Sequence, residues 1–301
     1  MIILPYLRLT FTALLCTLCL FVNGQDYPNE FNSLVLKNDT IGQVSLLKKW
    51  SSANPKDPEL FIAYFNYYVQ KSRSEVISIG KEQTGNESLE ISDTGTGKTV
   101  GYMNKVTLYD SYYLKQGLAY IDKGIALNPN RLDMRFGKIY MLGETKNYPD
   151  FAKQIEEAID YNAQIKSKWA WKDGKPLEDA TNFFLNAVQD YVNTLYNSGN
   201  EQLPLMRSIA EKTLTYYPKN VESLSNIAIT YLLTDDYDKA LGYLLKAEAI
   251  NPKDGIVLGN IAEAYSRKKD KKNAAVYYNK MIKEGSADEA EYAKDKLKAL
   301  N

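Results

Sequence analysis

The chain has no histidine among its 301 residues, and its two cysteines, Cys16 and Cys19, both fall in the first 24 positions. The absence of histidine removes the commonest general base, every Ser-His-Asp or Cys-His arrangement and every imidazole metal ligand. With both thiols in an N-terminal stretch that is expected to be cut off, the remaining chain has no disulfide and no thiolate zinc site. It also lacks a charge surplus: 37 Lys and Arg balance 37 Asp and Glu. A nucleic-acid binder normally carries a net basic excess, so nucleic acid is not an expected partner. What is present, 45 % hydrophobic and 25 % charged residues, is ordinary globular composition.

Residues 1–24, MIILPYLRLTFTALLCTLCLFVNG, carry Arg8 as their one charge, followed by an apolar run from Leu9 to Val22. Val22 and Gly24 supply small residues ahead of a cut at Gln25, the pattern of a secretory signal peptide. The run is shorter than the roughly 20 residues that a bilayer span needs. Leu15 and Leu18 precede the two cysteines, which does not suit lipid attachment. The expectation is an exported product, periplasmic or extracellular, that meets membranes only indirectly.

Beyond residue 220 the sequence repeats itself at a period of about 34 residues. Leu224, Asn226, Ile227, Ala228 and Tyr231 recur as Leu258, Asn260, Ile261, Ala262 and Tyr265. Ala240, Tyr243 and Lys246 recur as Ala274, Tyr277 and Lys280. The apolar members fall at helical spacing in two bursts, separated by polar turns at TDDYD (234–238) and KKDKK (268–272). Small residues at 228, 240, 262 and 274 mark where one helix approaches another closely. Each unit is therefore a helical hairpin with one apolar face, which only stacking can bury.

This series of bulky, apolar, small and aromatic positions resembles the tetratricopeptide repeat (TPR). Residues 221–254 fit it with Leu224, Ile227, Ala228, Tyr231, Ala240, Leu244, Ala247 and Pro252. Residues 255–288 fit it too, with Ser286 in place of the proline. Upstream the rhythm is looser. NPKD at 54–57 duplicates NPKD at 251–254, and NPN (128–130) and YPKN (217–220) mark further unit ends. Phe61, Tyr64 and Tyr68 fit a unit starting at Pro58, although Phe65 is too bulky for its small position. The interval from Pro55 to Pro129 exceeds one unit by about 40 residues. Residues 72–107 abandon helical period in favour of VISI, SLEIS and TVGYM, which read as a small β-hairpin or three-stranded flap inserted between the two helices of one repeat.

The resemblance implies an all-α fold, a right-handed superhelix of TPR-like hairpins with a small β-hairpin insertion. Its expected parts are hairpins over 25–71, the insertion over 72–107, and degenerate hairpins over 108–220. The two clear units and a capping helix over 289–301 follow. The resemblance also implies a non-catalytic scaffold whose concave groove binds a protein or peptide. Its expected lining is Asn226, Ile229 and Leu233 in one unit and Asn260, Glu263 and Arg267 in the next. An asparagine amide donates and accepts at once, which suits the backbone of an extended peptide.

Other candidates carry less. SDTGTGKT at 92–99 imitates a phosphate-binding loop around Lys98, but TVGYM after it reads as a strand where that loop needs a long helix. Neither a nucleotide nor any cofactor is expected, and no metal site. The pairs Glu156–Glu157 and Asp235–Asp236 diverge by about 100° on a helix, so neither makes a catalytic dyad. The run RKKDKK at 267–272 reads as a solvated turn, and Trp50 as packing. Trp169 and Trp171 sit in a polar loop at 165–177 and could stack on a ligand. They support the alternative of a glycan- or nutrient-binding envelope protein that uses this loop or the β insertion.

Overall fold

The computed structural model describes residues 25–84 and 87–300, so the stretch read as an export signal lies outside the described residues. The helices are α1 (Tyr27–Leu36), α2 (Thr40–Ala53), α3 (Pro58–Ser72), α4 (Ser111–Leu127), α5 (Leu132–Glu144) and α6 (Tyr148–Gln164). They continue as α7 (Ala180–Asn197), α8 (Leu203–Tyr216), α9 (Val221–Leu232), α10 (Tyr237–Ile250), α11 (Gly255–Arg267), α12 (Lys271–Glu284) and α13 (Ala287–Leu300). Consecutive helices pack as six hairpins, α1/α2 through α11/α12, and α13 packs against α12 and α11. The fold is all-α in its scaffold, with one small sheet.

Local chemistry sets where the helices begin. The side chains of Asp26, Asp39, Asp57, Asp110, Asn220, Asp236, Asp254 and Asp270 each accept a hydrogen bond from a free amide in the first turn of the helix they precede. The turns inside hairpins are equally specific. Asn38, Lys146, Asp235 and Lys269 are left-handed, with φ of 54°, 55°, 61° and 64°, and each is followed at once by Asp or Asn. The left-handed residue ends one helix and the next residue occupies the N-cap position of its partner, so the chain reverses in a few residues.

Close approach requires small residues. Ala228, Ala240 and Ala247 in α9/α10 are fully buried, as are Ala262 and Ala274 in α11/α12. In α3/α4 the position equivalent to Ala228 is Phe65, buried at 6 % exposure. Space for it comes from the facing helix. A Cβ added to Gly117 would lie 3.2 Å from Tyr68 Cβ and 3.3 Å from the Phe65 carbonyl oxygen, and one on Gly124 would lie 2.9 Å from Phe61 Cβ.

Between α3 and α4 lies the sheet: β1 (Arg73–Gly80), β2 (Ser88–Ser92) and β3 (Thr99–Tyr109), in the order β1-β3-β2. Both outer strands run antiparallel to β3, with Ile77 opposite Lys105 and Ser88 opposite Asn104. Of the two forms expected from sequence, a hairpin or a three-stranded flap, the sheet is the second. The β1–β2 connection is tied to buried Asn104, whose Oδ1 accepts from Thr84 N (2.9 Å) and Ser88 Oγ (2.6 Å) and whose Nδ2 donates to Glu82 O (3.0 Å). At its base the Asp110 amide donates to the Ser72 carbonyl at 2.8 Å, closing the insertion into a neck.

Candidate functional site

The first helices of the last three hairpins, α7, α9 and α11, line a cleft of about 510 Å³. Of the groove residues expected from sequence, it brings together Asn226, Ile229 and Asn260. Gln189, Asn193 and Tyr196 of α7 complete it. Sequence reasoning missed these three, although their spacing of four and then three residues sets them along one side of the helix.

The two asparagines differ in availability. Asn226 is 5 % exposed, and its Nδ2 donates to Gln189 Oε1 at 2.7 Å. That pairing satisfies the buried amide and fixes the floor of the cleft, so Asn226 shapes the site rather than offering free bonds to a peptide. Asn260 is half-buried, with one long bond of 3.4 Å to Ser225 Oγ. Its carbonyl oxygen has no protein donor among the described residues. Exposed Ile256 and Tyr196 frame the mouth.

Three expected groove residues lie elsewhere. Leu233, the C-cap of α9, is half-buried against the core of α5–α8. Glu263 and Arg267 pair with each other at 2.8 Å, one turn apart on α11. Glu263 also accepts from the Tyr278 hydroxyl at 3.2 Å and faces Lys296 of α13 at 3.8 Å, so it ties α11 to its C-terminal neighbours. Burial pushes its carboxyl up, but Arg267, Lys296 and Tyr278 together hold it below the usual glutamate value.

The tryptophan loop is corrected in part. Trp169 is 2 % exposed, stacked near Phe184, and its indole N–H donates to Asn162 Oδ1 at 2.7 Å. It is a core anchor for the loop and has no face left for a ligand. Trp171 is half-buried, edge-on to Phe136 and Phe183. It lines a second cleft of about 580 Å³ with Asn29, Asn32 and Asn66 from the first helices α1 and α3. Beneath this cleft the buried Arg131 meets Asp133 at 2.7 Å and Glu59 at 2.8 Å. Trp50 is fully buried and bonds Asp57, in keeping with its reading as packing.

The phosphate-loop lookalike is the β2–β3 turn. Asp93 Oδ1 accepts from the amides of Gly95 (3.1 Å) and Thr96 (2.7 Å) and from the Thr96 hydroxyl (2.7 Å). The Asp93 carboxylate occupies the amides that a phosphate would need, and those bonds hold it below the usual aspartate value. No helix follows; Thr99 begins β3.

Stacked antiparallel hairpins with small residues at their crossings give the described residues a TPR-like fold. No family model matches the chain, and no curated protein matches it in sequence. Several solved structures are similar in fold. The TPR protein YrrB, described as having an unusual peptide-binding site, is 14 % identical with a TM-score of 0.42, over 83 % of this chain and 97 % of that one. The C-terminal part of a TPR repeat-containing protein from Cytophaga hutchinsonii is 14 % identical with a TM-score of 0.43, over 85 % and 78 % of the two chains. A tetratricopeptide repeat protein from Parabacteroides merdae is 11 % identical with a TM-score of 0.39, over 91 % and 84 %.

Proposed function

We propose that this protein is an exported, non-catalytic scaffold that binds an extended segment of a protein partner in the cleft of α7, α9 and α11. The observation that carries the reading is the cleft itself. Its walls come from first helices of successive hairpins, it presents the Asn260 carbonyl oxygen and the Asn193 amide nitrogen, neither with a protein partner among the described residues, and it has exposed apolar surface in Tyr196 and Ile256. Amides at the mouth pair with a peptide backbone, while the apolar residues receive alternate side chains. Export rests on residues 1–24 alone.

The test uses the chain from Gln25 to Asn301 to capture partners from envelope extract, beside a variant carrying Asn260→Ala and Tyr196→Ala. Both substitutions fall on residues that are not fully buried, so the helical circular dichroism should stay unchanged. The captured partner, purified, should bind the wild type at least tenfold more tightly than the variant. Equal affinity would remove the cleft from the interface. Intact-mass analysis of the exported product should find Gln25 as the first residue; a retained leader would overturn the export reading.

A second reading attaches to Trp171 and the three asparagines of the α1–α3–α5 cleft, whose aromatic edge and amides suit a sugar. Quenching of tryptophan fluorescence by soluble glycans, lost in Trp171→Ala, would favour it.

A further inference from the structure

A balanced net charge hides a segregation. The six first helices of the hairpins together carry four Lys or Arg against seven Asp or Glu. The six second helices carry thirteen against nine. The clefts are therefore built from the helices that are poor in cations.

At the α7–α9–α11 cleft the bias becomes local. Its titratable carboxylates are Glu222 and Asp254, and no lysine or arginine lines it. Glu222 accepts from the Asn220 side chain at 2.7 Å, and Asp254 accepts from the Val257 amide at 3.0 Å. Both partners are neutral, and among the described residues neither carboxylate belongs to an ion pair. Helix N-termini favour such residues, yet each terminus supplies only about half a positive charge against a whole negative one. Carboxylates at the start of α10, the second helix next to the cleft, are by contrast paired: Asp236 with Lys239 at 2.7 Å, and Asp238 with Lys268. The α1–α3–α5 cleft also has more carboxylates than cations, but there Arg131 pairs with both Glu59 and Asp133, and Asp173 pairs with Lys175 at 3.7 Å.

We propose that the cleft selects a cationic partner: an extended segment in which a lysine or arginine, set between Glu222 and Asp254, neighbours an apolar residue resting on Ile256 and Tyr196. This rests on the reading of the cleft as a peptide site and adds the chemistry of its occupant. Partial burial of Asp254 strengthens its ion pair relative to open surface, and a second carboxylate on the same cation, the exposed Glu222, favours a single register.

The experiment measures fluorescence anisotropy with the chain from Gln25 to Asn301 and three labelled, end-capped octapeptides. They alternate leucine with lysine, with glutamine or with glutamate. The lysine peptide should bind at least threefold more tightly than the glutamine peptide, and more weakly as salt is raised; the glutamate peptide should bind least. In the double variant Glu222→Gln/Asp254→Asn the lysine preference should vanish. Asparagine still caps α11, so the fold is kept. A lysine peptide no tighter than the glutamine peptide, or a preference that survives the double variant, overturns the cationic assignment while leaving the cleft standing. Lysine-peptide binding that is indifferent to Asn260→Ala/Tyr196→Ala overturns the cleft reading itself.

Discussion

The hairpins α3/α4 and α9/α10 solve one packing problem with opposite distributions of bulk. In α9/α10 both sides give way: Ala228 on the first helix meets Ala240 and Ala247 on the second. In α3/α4 the first helix keeps Phe65, and the second yields with Gly117 and Gly124 at the places of Ala240 and Ala247. The constraint thus lies on the sum across the crossing, not on either residue. A search that asks for a small residue at one fixed position passes over such a unit, although its geometry is kept.

The sharpest way to break this comparison is Phe65→Ala. If Phe65 fills the volume that the glycines leave, its loss should cost about 3–5 kcal/mol in urea unfolding, as deletion of a buried aromatic does. A cost under about 1 kcal/mol would mean the hairpin closes without it. A matched pair of glycine substitutions should then separate crossing from surface. Gly124→Ala drives a methyl against Phe61 at 2.9 Å and should cost about 1–3 kcal/mol despite alanine's better helix propensity. Gly242→Ala, in exposed α10 with nothing within 4 Å of the added carbon, should gain about 0.5–1 kcal/mol. Equal effects at the two sites would remove the close approach from the account. Little effect is expected from replacing residues 73–109 with a short turn. Since α3 and α4 pack directly on each other, thermal unfolding should stay cooperative and change by less than about 2 kcal/mol. A broadened, multistep melt would show that the sheet organises the hairpin.

Much of this architecture was legible because the repeat signal at 221–284 comes from residues whose burial leaves little choice, Ala228 and Ala262 above all. The insertion was legible for a different reason: the apolar period changed from helical to alternating at Arg73. The register of α5/α6 was not, because its burial rests on Leu132, Met134, Ile139 and Leu142, with Arg135 and Lys138 at positions where the clear units carry Leu224 and Ile227. Turn chemistry held the missing signal. Lys146 followed by Asn147 matches Asp235 followed by Asp236 and Lys269 followed by Asp270, in conformation as well as in place. The site was half legible. Asn226, Ile229 and Asn260 share the cleft, but the opposite wall, Gln189 to Tyr196, belongs to a helix with no recognisable repeat. A groove drawn from consensus positions alone also takes in Glu263 and Arg267, whose charges satisfy each other. The placement of Trp169 in the core was hidden because its hydrogen-bond partner, Asn162, sits on the preceding helix in a position that reads as polar surface.

The bond from Asp110 to Ser72 bears on the order in which the chain acquires its structure. In a stack of hairpins, folding can start in any unit whose two helices are joined by a short turn. For α3 and α4 the intervening stretch, residues 73–109, is roughly three doublings longer than such a turn, which adds about 2 kcal/mol of closure entropy to their meeting. A sheet whose first and last residues, Arg73 and Tyr109, pair opposite each other removes that penalty beforehand, because once β1 and β3 have zipped together the helix ends already touch. Nucleation should accordingly favour the C-terminal units, with α3/α4 joining only after its strands have paired, and refolding rates should respond to Asn104→Ala far more than to substitutions in the turns of α9/α10.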